Sequence, residues 1–212
     1  MKRLLLLLAV GTLVASAWAE PPPASPFDSE DWPPSLSREP TKGLMLGAFR
    51  IQFEKTTLRT VQQAASSGAI AQRGDAAGHI LWLCYTASHG GANARIWIIS
   101  HGEMGGPDHA VTEIVARSLK SPAATTDCPV LPNHLQPVSL DIPAWLGSTD
   151  AEFDRSLGSP SHVAGPWRSY DFQTTLPGHD CDGDGYDLGS WLVTQSQRGS
   201  VTAIYAGQVS SC

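Results

Sequence analysis

The chain has 212 residues, a formal net charge of −6 and only 16% charged residues. An acidic balance with no basic run excludes the electrostatic footprint of a nucleic-acid or anionic-membrane binder. The length suffices for one good core or two small ones.

Lys2 and Arg3 form a positive start, followed by an apolar run from Leu4 to about Ser16 and the small-x-small site Ala17-Trp18-Ala19. This pattern predicts a secretory signal peptide over residues 1–19, with a mature chain beginning at Glu20. The run is shorter than a membrane span requires. No cysteine follows it to carry a lipid anchor, and no later segment is apolar enough to cross a bilayer. An exported chain, periplasmic or secreted, is expected.

Residues 20–43 hold seven prolines and few aliphatic side chains. Such a composition predicts an extended, flexible arm, with Phe27 and Trp32 as its large apolar groups. Order is expected from Leu44. "LMLGAFRIQFE" reads as a strand, and "TTLRTVQQAASS" as a helix with Leu58, Val61 and Ala65 on one face and threonines to cap it. "HILWLCYTA", "ARIWIIS" and "AVTEIVAR" follow as a three-stranded meander, separated by the turn-rich "SHGGAN" and "HGEMGGPD".

The second half repeats this order. "PVSLDIPAW" is a strand, and "STDAEFDRSLG" a helix with Thr149 and Glu152 in capping-box spacing and Gly158 and Pro160 as stop signals. "WRSYDFQT", "YDLGSWLVTQS" and "SVTAIYAGQV" give three more strands, the last two joined at Arg198-Gly199. "VTEIVA" at 111–116 matches "VTAIYA" at 201–206, and Tyr85 and Tyr170 fall at equivalent places after the two helices. An internal repeat follows from the shared order of elements. The expected fold is α+β, with two tandem units at 44–128 and 137–212. Each would have a short helix on a mostly antiparallel three- to four-stranded sheet.

Four cysteines in an exported chain predict two disulfides. Three pairings are possible. Cys84–Cys128 with Cys181–Cys212 is preferred because each bridge then closes within one half.

The stretch "GHDCDGDGYD" opens like a calcium loop, with Asp180, Asp182 and Asp184 at positions one, three and five and Gly185 at the sharp turn. Position twelve, where a bidentate carboxylate belongs, is Trp191. An acidic strand connection is therefore expected, with a weak calcium site as the alternative and no other cofactor. His101 and Glu103 could form an acid–base pair at a strand end, yet no nucleophile accompanies them. "HGG" at 89–91 has no G-x-S-x-G elbow to serve. No catalytic activity is expected.

Trp82, Trp97, Trp167 and Trp191 all fall on predicted strands, and several strands are apolar at both parities. Either both sheet faces are covered or one shows aromatic surface to a partner. Trp97 and Trp191 are the candidate binding face, since tryptophan dominates binding hot spots.

"WLGSTDAEFDRSLGSPS" at 145–161 resembles the signature of small bacterial envelope proteins of the BamE (SmpA/OmlA) kind and of β-lactamase-inhibitor-protein-like domains. Gly147, Thr149, Glu152, Phe153, Leu157, Gly158 and Pro160 carry the likeness, with the closing hairpin "RGSVTAIYAGQV". The resemblance covers the second half well and the first half weakly. It implies tandem units whose joined sheets grip another protein on a concave aromatic surface. The expected function is an exported protein-interaction module of the cell envelope, with another envelope or secreted protein as partner. The alternative is an exported calcium-binding or hydrolytic protein using the 180–187 loop or the His101/Glu103 turn.

Overall fold

The computed structural model describes residues 20–26, 33–75, 78–89, 92–105, 108–121, 124–177 and 185–211. They form a mixed α/β protein with two helices and antiparallel sheets. Strands β1 (Gly43–Leu46) and β2 (Phe49–Gln52) precede helix α1 (Leu58–Ala65). Then come β3 (Ala71–Arg73), β4 (Ile80–His89), β5 (Ala92–His101), β6 (Glu113–Leu119) and β7 (Val138–Leu140). Helix α2 (Asp150–Leu157) leads to β8 (His162–Ala164), β9 (Trp167–Leu176), β10 (Tyr186–Gln197) and β11 (Ser200–Ser211).

Eight strands make one sheet in the order β3-β4-β5-β6-β11-β10-β9-β8. The centre is the antiparallel pairing of β6 with β11, in which Val115 faces Tyr205 and Ala116 faces Ile204. A second sheet, β2-β1-β7, pairs Leu44 with Leu140 and so ties the start of the chain to its middle.

Both helices form where capping chemistry and apolar spacing coincide. Thr57 caps α1 by accepting from the Thr60 amide at 3.2 Å, and Leu58, Val61 and Ala65 are its buried residues. At α2, Thr149 Oγ1 accepts from the Glu152 amide at 3.3 Å while Glu152 Oε2 accepts from the Thr149 amide at 2.7 Å. Two otherwise orphaned donors are thereby satisfied. The Thr149 amide, and after it the Thr149 hydroxyl at 3.0 Å, donate to the exposed Glu152 carboxyl and hold it below the usual carboxylate range. Gly158 then ends the helix at φ 101.

The helices and the small sheet cover one face of the large sheet. Leu83, Ile96, Ile98, Ile114, Leu192 and Ile204 meet Val61, Phe153, Leu44 and Ile51 there in one core. Two tyrosines tie sheet to helix from this face. Tyr85 Oη donates to the Ser67 carbonyl at 2.8 Å, and Tyr170 Oη to Asp154 Oδ1 at 2.7 Å. Burial pushes the Tyr85 hydroxyl up to about 12. Burial and then the Asp154 bond push Tyr170 higher still.

"LMLGAFRIQFE" departs from the single strand expected of it. It is the β1–β2 hairpin, turning at Gly47-Ala48. Gly47 sits at φ 58, and a Cβ there would lie 2.6 Å from the His134 carbonyl oxygen, so glycine breaks the strand. The three-residue strands β3 and β8 were also not anticipated. Among the described residues, no helix is long and apolar enough to cross a membrane.

Candidate binding face

The other face of the large sheet collects the tryptophans. Register sets Trp82, Ile99, Glu113, Gly207 and Trp191 in one row across the strands. The next row holds Cys84, Trp97, Val115, Tyr205 and Val193. A third holds Thr86, Arg95, Arg117, Ala203, Gln195 and Trp167. All four strand tryptophans thus share a face with two arginines. Alternation on β4 and β5 shows this for Trp82 and Trp97. The β6–β11 junction, which brings Trp167 and Trp191 alongside, could not be read from local sequence.

The aromatic rings pack on one another and on backbone. Trp191 lies so close over Gly207 that a Cβ there would sit 2.3 Å from Trp191 Cζ2. Only a residue without a side chain admits the indole. Trp167 and Tyr205 have ring centroids 6.0 Å apart at 58°, a tilted aromatic pair. Trp82 and Trp97 are each only 3% exposed, whereas Trp167 and Trp191 are half-buried. Of the expected pair, Trp97 is therefore inside a covered layer and Trp191 stands at its margin.

Two described segments contribute to that cover. Cys128 forms a disulfide with Cys84, across a sequence separation of 44 and a Cα–Cα distance of 4.7 Å. This is the preferred pairing for the first half, and it belongs to the cluster of Trp82, Trp97, Val115 and Tyr205. Cys181 and Cys212 lie outside the described residues. The other segment is the start of the proline-rich arm. The Trp97 indole N–H donates to the Glu20 carbonyl at 3.1 Å, the Arg95 guanidinium pairs with the Glu20 carboxylate, and Pro22 is buried. Further along the arm, Ser35 and Leu36 amides both donate to the Asp171 carbonyl at 3.1 Å. Phe27 and Trp32 lie outside the described residues.

Polar side chains on this face make an unusual set. Arg95 and Arg117 stand directly opposite across β5 and β6, an arrangement of like charges that destabilises a sheet unless anions or aromatic faces compensate it. Arg95 has Glu20. Arg117 Nη2 donates to Tyr205 Oη at 2.6 Å, with its guanidinium carbon 5.9 Å from that ring's centroid. Among the described residues, Arg117 Nε and Trp82 Nε1 are buried without a hydrogen-bond partner.

His101 meets Glu113 across the strands, Nε2 to Oε2 at 2.5 Å, and its amide donates to Thr112 Oγ1 at 3.0 Å. The side chain of Glu103, its expected partner, lies outside the described residues. The histidine thus has a carboxylate partner that sequence spacing did not suggest. The adjacent serine, Ser100, alternates to the opposite face of β5 and is buried. Asp180, Asp182 and Asp184 are outside the described residues. Among those described, no three histidine, cysteine or acidic side chains group as a metal site.

A cleft of about 680 Å³ lies elsewhere, lined by the arm residues Ser37–Lys42 together with Asp141, Pro143 and Phe172. It records how the arm crosses the surface. Thr41 Oγ1, buried, reaches both Asp141 Oδ1 at 2.5 Å and the Gly43 carbonyl at 2.9 Å. Comparison of the chain with protein-family models, with curated proteins and with solved structures finds no match.

Proposed function

We propose that this chain is an exported, non-catalytic protein-interaction module of the cell envelope. It would hold another envelope or secreted protein against the aromatic face of its large sheet. The observation that carries the reading is the gathering of Trp82, Trp97, Trp167, Trp191 and Tyr205, with Arg95 and Arg117, on the face opposite the helices. These are the residue types that concentrate binding energy. Leu83, Ile96, Ile98, Ile114, Leu192 and Ile204 of the same sheet meet the helices on the other side, so the aromatic and cationic groups are segregated to this face.

The tandem-unit reading, and with it the BamE-like and inhibitor-like resemblance, belongs to the same proposal. It is supported by the way "VTEIVA" and "VTAIYA" lie antiparallel at the sheet's centre, with their equivalent residues Val115 and Tyr205 face to face. Two like units meeting edge to edge would produce that pairing and a single broad face.

The test is chemical cross-linking in intact envelopes of the source cells, read by mass spectrometry, for the unaltered chain and for Trp191→Ala. Trp191 stands at the margin, so its removal should leave the melting temperature within a few degrees. The expected result is one cross-linked partner, attached near β10 and β11 and lost in the variant. Cross-links confined to the helical side, or unaffected by the substitution, would overturn the reading.

A further inference from the structure

The contacts of Glu20 identify the chemistry that the aromatic face accepts. Glu20 precedes Pro21, Pro22 and Pro23, and a residue before proline is held extended. Such a segment has few backbone N–H groups and exposes its carbonyls, so it is recognised by aromatic surfaces that supply side-chain donors. Trp97 is such a donor, giving its indole N–H to the Glu20 carbonyl while Pro22 is buried. Beside it, Arg95 takes the Glu20 carboxylate. The neighbouring guanidinium, Arg117, keeps a buried Nε–H without an acceptor among the described residues. The face therefore offers an indole donor, apolar rings and paired arginines: the complement of an acidic residue followed by prolines.

We propose that this face is a receptor for extended acidic–proline segments. The chain's own residues 20–23 are its resident occupant in cis, and a partner carrying such a segment must displace them. This rests on the interaction-module reading and names its ligand class. The resident segment acts as a built-in competitor. Because it is tethered, its effective concentration is high, and a free segment binds in earnest only when the arm is weakened.

The experiment follows the Trp97 indole N–H by ¹H–¹⁵N NMR on the full chain, with the resonance assigned from Trp97→Phe. The probe is the acetylated heptapeptide Glu-Pro-Pro-Pro-Ala-Ser-Pro, added to the unaltered chain and to the double variant Glu20→Ala/Pro22→Gly, whose changes lie in the arm. The expected result is a saturable shift of the indole resonance in the variant, with at least about tenfold more peptide needed in the unaltered chain. A control peptide with glutamine in place of glutamate should bind at least about tenfold more weakly, the loss of a charge-assisted bond. That control leaves the protein untouched, so it decides the acid requirement without any substitution on the face.

No shift in the variant, or equal binding of the two peptides, overturns the proposal. If either occurs while the envelope partner is still captured through Trp191, only the ligand class falls and the interaction reading stands. Arm contacts that appear between molecules in a mixed-label sample would overturn occupancy in cis.

Discussion

The two faces of the large sheet are built from different materials. One carries Leu83, Ile96, Ile98, Ile114 and Ile204 beneath two capped helices and a second sheet. The other carries indoles, a phenol and two guanidinium groups, and the described part of its cover is a disulfide-held loop and the Glu20–Pro22 segment. Aliphatic side chains ask only for contact, so the first face is satisfied by shape. Indole N–H and guanidinium groups also ask for acceptors, so the second face is satisfied only by a cover of matching polarity. A surface of that kind discriminates among its covers. The first face is held by shape alone, and the second by shape and matched polarity.

The largest loss of stability is expected at the disulfide. Replacing both members of the bridge, Cys84→Ala with Cys128→Ala, frees a loop of 44-residue separation. Chain-entropy reasoning puts the loss at about 4 kcal/mol. Urea unfolding followed by tryptophan emission should show the lowered midpoint, together with a red shift of the folded baseline as Trp82 and Trp97 gain solvent. A lowered midpoint without that shift would mean that the loop does not cover the aromatic face.

A smaller and more local break is Gly207→Ala. The new methyl would collide with Trp191 Cζ2 and sit 2.8 Å from the Thr112 carbonyl oxygen. Displacing the indole should cost about 2 kcal/mol as an overpacking change and alter near-ultraviolet circular dichroism, with far-ultraviolet signal retained. The helical face, on the opposite side of the sheet, should be indifferent to it.

The smallest effect sharpens the other side. Glu152 has its carboxyl held low by the Thr149 capping bonds, so its contribution is present above the ordinary carboxylate pKa and is lost as pH falls through the depressed folded value. Glu152→Gln should be slightly less stable near neutrality and lose less on acidification. Thermal melts from pH 7 to pH 3 would show the two curves converging. Parallel curves would remove the capping carboxylate from the acid response.

Local chemistry made much of this molecule legible. Helix α2 was readable because Thr149, Glu152 and Gly158 are chemical signals at its two ends, and α1 because Leu58, Val61 and Ala65 keep helical spacing. The long strands β4, β5, β9, β10 and β11 announce themselves by bulk, and the β10–β11 turn by Arg198-Gly199, both at positive φ. The hairpin inside "LMLGAFRIQFE" was hidden because a single glycine among alternating residues is also tolerated in a strand. The pairing of β7 with β1 and the union of β6 with β11 join segments about ninety residues apart, and no periodicity encodes them. The aromatic face was legible to the same degree. Its tryptophans could be named, but the row that sets Arg95 against Arg117, the Glu20 contact and the His101–Glu113 pair all come from register and topology. The segment carrying Asp180, Asp182 and Asp184 lies outside the described residues.

The meeting of β6 and β11 also settles how the protein lives in a crowded medium. Two open strand edges, each a template for adhesion to other chains, are spent on one another. The outer rims are then only three residues long, β3 and β8, and the longer strands behind them are partly covered. On β4, residues 129–131 give and take hydrogen bonds with Thr86, its amide to the Pro129 carbonyl at 2.9 Å and the Leu131 amide to its carbonyl at 2.7 Å. On β9, the amides of Ser35 and Leu36 close over the Asp171 carbonyl. A wide sheet with guarded rims is protected against polymerising along its borders.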